Sequence, residues 1–134
     1  MKKTILACVC ILTGFFNISG TGKLPGGEGV KVVVIDAGHG GKDPGNLGTQ
    51  RYKTTEKDIS LSVALQLGAY MEQHLPGVKV VYTRKTDIFI PLKERAEIAN
   101  KAKGDLFISI HCDSYTSSAV HGATSLILGR HHAD

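Results

Sequence analysis

The chain has 134 residues, enough for one small domain with its own core. Its 42% hydrophobic and 21% charged residues are ordinary globular values. The net charge of +4 is spread over scattered lysines and arginines, with no basic run and only eight aromatics (four Tyr, four Phe), so nucleic-acid binding is not expected. Such a mild positive charge suits an anionic partner such as an envelope polymer.

Residues 1–22 differ from everything after them. Lys2 and Lys3 precede an apolar stretch at 5–16 that is too short to span a bilayer, and Ser19, Gly20, Thr21 and Gly22 follow. This pattern predicts a secretory signal cleaved near Gly20 or Gly22. The mature protein is then expected in the periplasm or outside the cell, with no stable membrane insertion. Cys8 and Cys10 lie inside the apolar stretch, which continues past both, so simple secretion is favoured over a lipoprotein signal. With the signal removed, Cys112 is the one remaining thiol and no intrachain disulfide is expected.

Residues 23–29 read as a linker, and the predicted domain covers 30–134. It opens with an apolar β-branched run at 32–35, as expected of a strand buried on both faces. The run breaks into Asp36, Ala37, Gly38, His39, Gly40 and Gly41, a sharp turn that sets an imidazole at the carboxyl end of a strand. A polar, turn-rich loop spans 42–53. Thr54 and Thr55 offer a helix N-cap, and a helix is predicted from about 56 to 74 with Ile59, Val63, Leu67 and Tyr70/Met71 as its apolar stripe. Glu56 heads that stripe on the face turned to the sheet.

Pro76 and Gly77 end the helix, and a second strand is predicted at 78–83. Pro91 suits the first position of a second helix that runs to about Lys103, with Gly104 as its stop. A third strand, apolar and of the same buried type as the first, is predicted at 106–110 and leads into His111, Cys112 and Asp113, and a fourth strand is predicted at 123–128. The order strand, helix, strand, helix, strand, strand predicts an α/β fold, a mostly parallel sheet flanked by helices.

In a parallel sheet the carboxyl ends of the first and third strands lie on one edge, and the helix carrying Glu56 starts at that edge. His39, Glu56 and His111 are therefore expected in one place. Two neutral imidazoles and one carboxylate form a standard catalytic zinc set for one ion, with a fourth position left for water. Asp36 is a candidate acceptor for the outer N–H of a ligating histidine. Asp113 shares the face of His111 and is a candidate for orienting a ligand or touching substrate, with an ordinary loop aspartate as the alternative.

These residues resemble the zinc-dependent N-acetylmuramoyl-L-alanine amidases that cleave peptidoglycan. The resemblance rests on Ile-Asp-Ala-Gly-His-Gly-Gly at 35–41, Thr-Glu-Lys-Asp-Ile at 55–59, Tyr-Thr-Arg-Lys-Thr-Asp at 82–87 with the helix that follows, and Ser-Ile-His at 109–111. It implies that His39, Glu56 and His111 ligate zinc. It also implies hydrolysis, by zinc-activated water, of the amide between the lactyl group of N-acetylmuramic acid and L-alanine. The family's second glutamate, a general acid/base near the C-terminus, has no counterpart before Asp134. No catalytic acid is therefore assigned, and the chain is expected to be truncated. The alternatives are another zinc-dependent peptidase or deacylase, or a catalytically incomplete wall-binding fragment.

Cys112 stands where the family usually has a small residue, and strand alternation points it away from the metal side. His121 reads as a loop histidine, His131 and His132 as tail, and His74 as a complement to a helix C-terminus. Arg84 and Arg95 are expected to form structural ion pairs.

Overall fold

The computed structural model describes residues 29–48, 53–114, 119 and 121–127. The predicted signal, most of the linker, His131 and His132 lie outside them. The chain divides into two units, one of residues 24–114 and one of residues 1–23 and 115–134. Among the described residues no helix is long and apolar enough to cross a membrane.

The first unit contains β1 (Val32–Ala37), α1 (Glu56–His74), β2 (Lys79–Tyr82), α2 (Leu92–Ala102) and β3 (Leu106–Ile110). The strands form one parallel sheet in the order β2-β1-β3, an α/β fold as the sequence predicts. β1 lies at the centre, with Ile35 opposite Tyr82 on one side and Ile108 on the other. Its residues 33–37 are buried on both faces. The Asp105 carboxylate accepts the N–H groups of Lys31 and Val32, which pins the start of the ladder.

Period-two alternation divides β1 between two layers. Val33, Ile35 and Ala37 form the core with Ala64 of α1, flanked by Leu61, Leu67, Met71, Val80, Tyr82 and Ile108. Val34 and Asp36 face α2, where Gly104 lies so close to the Val34 methyl that a side chain there would overlap it.

Several local expectations are corrected. The buried line of α1 is Glu56, Ser60, Ala64 and Gly68, while Ile59 (42%), Val63 (44%) and Tyr70 (62%) are exposed. The physical reason is close approach: small residues let the helix backbone sit on the sheet, and Gly68 lies under the Tyr82 ring. Thr55 is the N-cap, with its N–H and hydroxyl both donated to Asp58. Pro91 precedes α2 as its N-cap, and Lys103, at φ 52°, takes the left-handed C-terminal position expected of Gly104. β3 is not buried like β1; Leu106 and Phe107 are 43% and 44% exposed. The predicted fourth strand is absent from residues 123–127, where Leu126 and Ile127 are 90% and 91% exposed. A strand exists by pairing, and this apolar segment pairs with no neighbour among the described residues.

One buried ion pair ties the layers together. Arg95 of α2 donates to Asp36 Oδ1 at 2.7 Å, and Thr83 and Ser109, beside the ends of β2 and β3, donate to Asp36 Oδ1 and Oδ2. Burial alone would raise the Asp36 pKa, but the hydrogen bonds from Thr83, Ser109 and Arg95 outweigh it and hold the carboxyl below its usual range. Removing one partner of such a pair leaves a buried charge uncompensated. Arg95→Ala is therefore expected to cost about 3–5 kcal/mol in denaturant unfolding. A loss within experimental error would contradict the role. Because Asp36 titrates lower in the folded chain, its contribution is complete above about pH 4. It disappears as pH falls through the lowered folded value. In Asp36→Asn that part of the acid-side loss should be missing from stability measured against pH.

Candidate metal centre

The turn after β1 is the first component. His39 has φ 59°, a left-handed conformation that costs a non-glycine residue about 1–3 kcal/mol. Its surroundings hold it there. Arg95 Nη2 donates to the His39 carbonyl at 2.7 Å, and Gly40 and Asp43 exchange two backbone hydrogen bonds across the turn. Arg84 Nη2 donates to the Gly38 carbonyl at 2.7 Å, and the Ser60 hydroxyl donates to the same oxygen at 2.9 Å. Gly38 is required by contact, because a methyl group there would overlap the His111 ring. Gly45, at φ 64°, leaves room for His39 and Glu56 in the same way.

The second component is the buried head of α1. Glu56 Oε2 accepts the Asn46 N–H at 2.9 Å, and Oε1 accepts the Cys112 N–H at 2.9 Å. Burial works to raise its pKa, yet these two N–H groups, the His111 side chain and the nearby His39 lower it overall. The third component is His111, directly after β3.

These three residues come together as the sequence predicts. His39 Nε2 lies 3.0 Å from Glu56 Oε1, His111 Nδ1 lies 3.1 Å from the same oxygen, and the two ring nitrogens are 3.2 Å apart. The rings meet edge to face with centroids 4.9 Å apart. Zinc bonds of 2.0–2.1 Å in a tetrahedral site set neighbouring ligand atoms roughly 3.3 Å apart. The donor set and its spacing therefore fit one zinc ion.

The partners around the trio differ from expectation. Asp36 does not reach a histidine ring, because its oxygens are occupied by Thr83, Ser109 and Arg95. The carboxylate on the outer nitrogen of His39 is Asp43, at 2.9 Å from Nδ1. The turn sequence held a signal for it, an Asp four residues after the histidine and just before Pro44-Gly45. Arg84 forms no ion pair among the described residues. It is 2% exposed and donates to the carbonyls of Ala37, Gly38, Lys57 and Thr86, with its pKa drawn down by burial and by Arg95. Cys112 contributes its backbone N–H, while its half-buried thiol stays outside the trio with its pKa raised, chiefly by burial. Asp113 is exposed and makes no side-chain hydrogen bond among the described residues. His74 stacks on Tyr70, and His121, in the second unit, contacts the Ala119 carbonyl.

A cavity of about 780 Å³ opens beside His39 and His111 and runs between α2 and β3, lined by Phe89, Leu92, Ala96 and Phe107 among others. Its size is that of a small-ligand site.

The chain is similar to known proteins in sequence and in fold. Residues 33–134 match the N-acetylmuramoyl-L-alanine amidase family. The chain is 44% identical over 97 residues to N-acetylmuramoyl-L-alanine amidase AmiC of Escherichia coli O6:H1, covering 72% of this chain and 22% of the relative. It is 38% identical over 94 residues to the probable cell wall amidase LytH of Staphylococcus aureus, covering 70% and 30%. Among solved structures it is similar to the catalytic domain of CwlV from Bacillus (Paenibacillus) polymyxa var. colistinus, with a TM-score of 0.63, 46% identity and coverage of 68% of this chain and 50% of that one. The amidase of Clostridium difficile 630 gives a TM-score of 0.61 at 33% identity, covering 73% and 50%. The chain thus spans about half of these solved chains and less than a third of the two curated relatives. With the family match extending over most of its length, and the His-Glu-His cluster built within the matched residues, the chain belongs to the N-acetylmuramoyl-L-alanine amidase family.

Proposed function

We propose that this chain carries the zinc-binding part of a secreted peptidoglycan amidase that cleaves between the lactyl group of N-acetylmuramic acid and L-alanine. The observation that carries the reading is the convergence of His39, Glu56 and His111 from three elements, with one ligand atom of each within 4.8 Å of the others. Membership of the amidase family supports the substrate class.

In this reading His39 Nε2, Glu56 Oε1 and His111 Nδ1 hold the ion. Zinc, when bound, lowers the pKa of a water to roughly 7 and polarises a carbonyl. The chain's own residues supply orientation. The N–H groups of Asn46 and Cys112 grip the Glu56 carboxylate and keep it deprotonated and aimed at the imidazoles. Arg84 and Arg95 fix the carbonyls of the turn that bears His39, so the ligand geometry exists before substrate arrives. The cavity beside the cluster supports an approach for the wall peptide along α2.

Single replacements His39→Ala, Glu56→Ala and His111→Ala should each sharply reduce zinc retained after dialysis, read by elemental analysis with folding checked by circular dichroism. His121→Ala should retain it. Full zinc in His39→Ala would overturn the ligand assignment. Because no catalytic acid is assigned among residues 30–134, the zinc-loaded chain should release new alanine amino groups and free lactyl carboxylates from purified peptidoglycan only slowly; new amino groups on other residues would favour a peptidase. The export reading rests on Lys2, Lys3 and the apolar stretch at 5–16. N-terminal sequencing of protein from the native host should find a start near Thr21 or Lys23, and an intact Met1 would overturn it.

A further inference from the structure

We propose that Asp43 is the positioning residue of the metal centre: its carboxylate accepts the Nδ1–H of His39 and thereby leaves the Nε2 lone pair free to face Glu56 and His111. The inference rests on the metal reading above and extends it to a residue outside the ligand set.

The geometry is specific. Asp43 Oδ2 lies 2.9 Å from His39 Nδ1, and on the far side of the ring Nε2 lies 3.0 Å from Glu56 Oε1 and 3.2 Å from His111 Nδ1. A neutral imidazole carries one proton, so an acceptor fixed at Nδ1 makes Nε2 the nitrogen that can ligate. Asp43 is itself held in place. Its Oδ1 accepts the Gly45 N–H at 3.0 Å, and its backbone exchanges hydrogen bonds of 2.9 and 3.1 Å with Gly40. The carboxylate is thus built into the same turn that holds His39 in its left-handed conformation. Among the described residues, His111 has no comparable partner at Nε2, so the orienting effect falls on His39 alone.

The competing role is purely structural, with Asp43 serving only to close the turn through Gly45. Asp43→Asn separates the two. The amide oxygen can still accept the Gly45 N–H, but its NH₂ group then points at His39 Nδ1. In that orientation Nδ1 becomes the acceptor and the ring proton moves to Nε2, where it opposes ligation; the turned-over amide would accept Nδ1–H but set its NH₂ against the Gly45 N–H. Asp43→Ala removes both the turn contact and the orienting acceptor, yet leaves Nδ1 free to keep its proton by bonding water.

Zinc affinity of the wild-type chain and the two variants is measured by competition with a chelator, with circular dichroism as the folding check. The positioning role predicts that Asp43→Asn binds zinc about 10- to 100-fold more weakly than wild type and at least as weakly as Asp43→Ala. It also predicts that the hydrogen-bonded Nδ1–H signal of His39, seen in ¹⁵N-resolved imidazole spectra of the zinc-loaded wild type, is lost in Asp43→Asn. Wild-type affinity in a folded Asp43→Asn, with weakening confined to Asp43→Ala, would overturn the positioning role and leave the metal reading intact. A wild-type chain that binds no zinc would overturn both.

Discussion

The buried pair between Asp36 and Arg95 is the constraint on which the rest of this structure depends. Asp36 sits at the end of the central strand, where a carboxylate would ordinarily be too costly to bury. Every element of the sheet contributes to holding it. Thr83, just after β2, donates to one oxygen, Ser109 of β3 donates to the other, and Arg95 of α2 joins Thr83 on the first. The carboxylate therefore reports whether three strands and a helix are in register. It also fixes Arg95 in an orientation that lets the same guanidinium reach the carbonyls of Ile90, Ala37 and His39. A lysine has one ammonium point in place of that planar fork and would not span the same set of acceptors.

What the pair supports is a strained turn. His39 is one of two described non-glycine residues at positive φ, and it is also the residue that carries an imidazole into the candidate metal centre. Strain at such a place persists when the surroundings over-determine it. Here they do: Arg84, Arg95 and Ser60 take the carbonyls of residues 37–39, and Asp43 takes the ring. Every buried side-chain nitrogen and oxygen among the described residues has a hydrogen-bond partner. The polar interior is closed, and its groups converge on the edge of the sheet where His39, Glu56 and His111 meet.

The two faces of the sheet are finished differently. The α1 face is packed: small residues at 60, 64 and 68 bring the helix down onto Val33, Ile35 and Ala37. The α2 face is open over β3, where Phe107 and Ser109 line the cavity beside the histidines. The His-Glu-His cluster lies where the two meet: Glu56 comes from the packed α1 side, while His39 and His111 line the cavity on the α2 side.

The sequence by itself determined the element order, the parallel α/β fold and the meeting of His39, Glu56 and His111. Each follows from short-range rules: β-branched runs make strands, an N-cap threonine starts a helix, and parallel strands end on one edge. It also located the helix head from which Glu56 turns inward, although the stripe it read for α1 held only in part: Leu67 and Met71 pack against the core, while Ile59, Val63 and Tyr70 do not. Ile59 and Val63 are more hydrophobic than Ser60 and Gly68, but only the small residues permit the helix to approach the sheet. The fourth strand failed for a related reason, since apolar, β-branched composition does not supply a pairing partner. Tertiary structure decided between the two carboxylates near His39 in sequence, Asp36 and Asp43. Asp36 is nearer in sequence, but Thr83, Ser109 and Arg95 claim its oxygens from residues 47 to 73 positions away. Asp43 reaches the ring because the turn folds back through Gly40. The turn held a local signal for Asp43, but nothing local shows that distant residues claim Asp36, and that competition is decided only when the chain is folded.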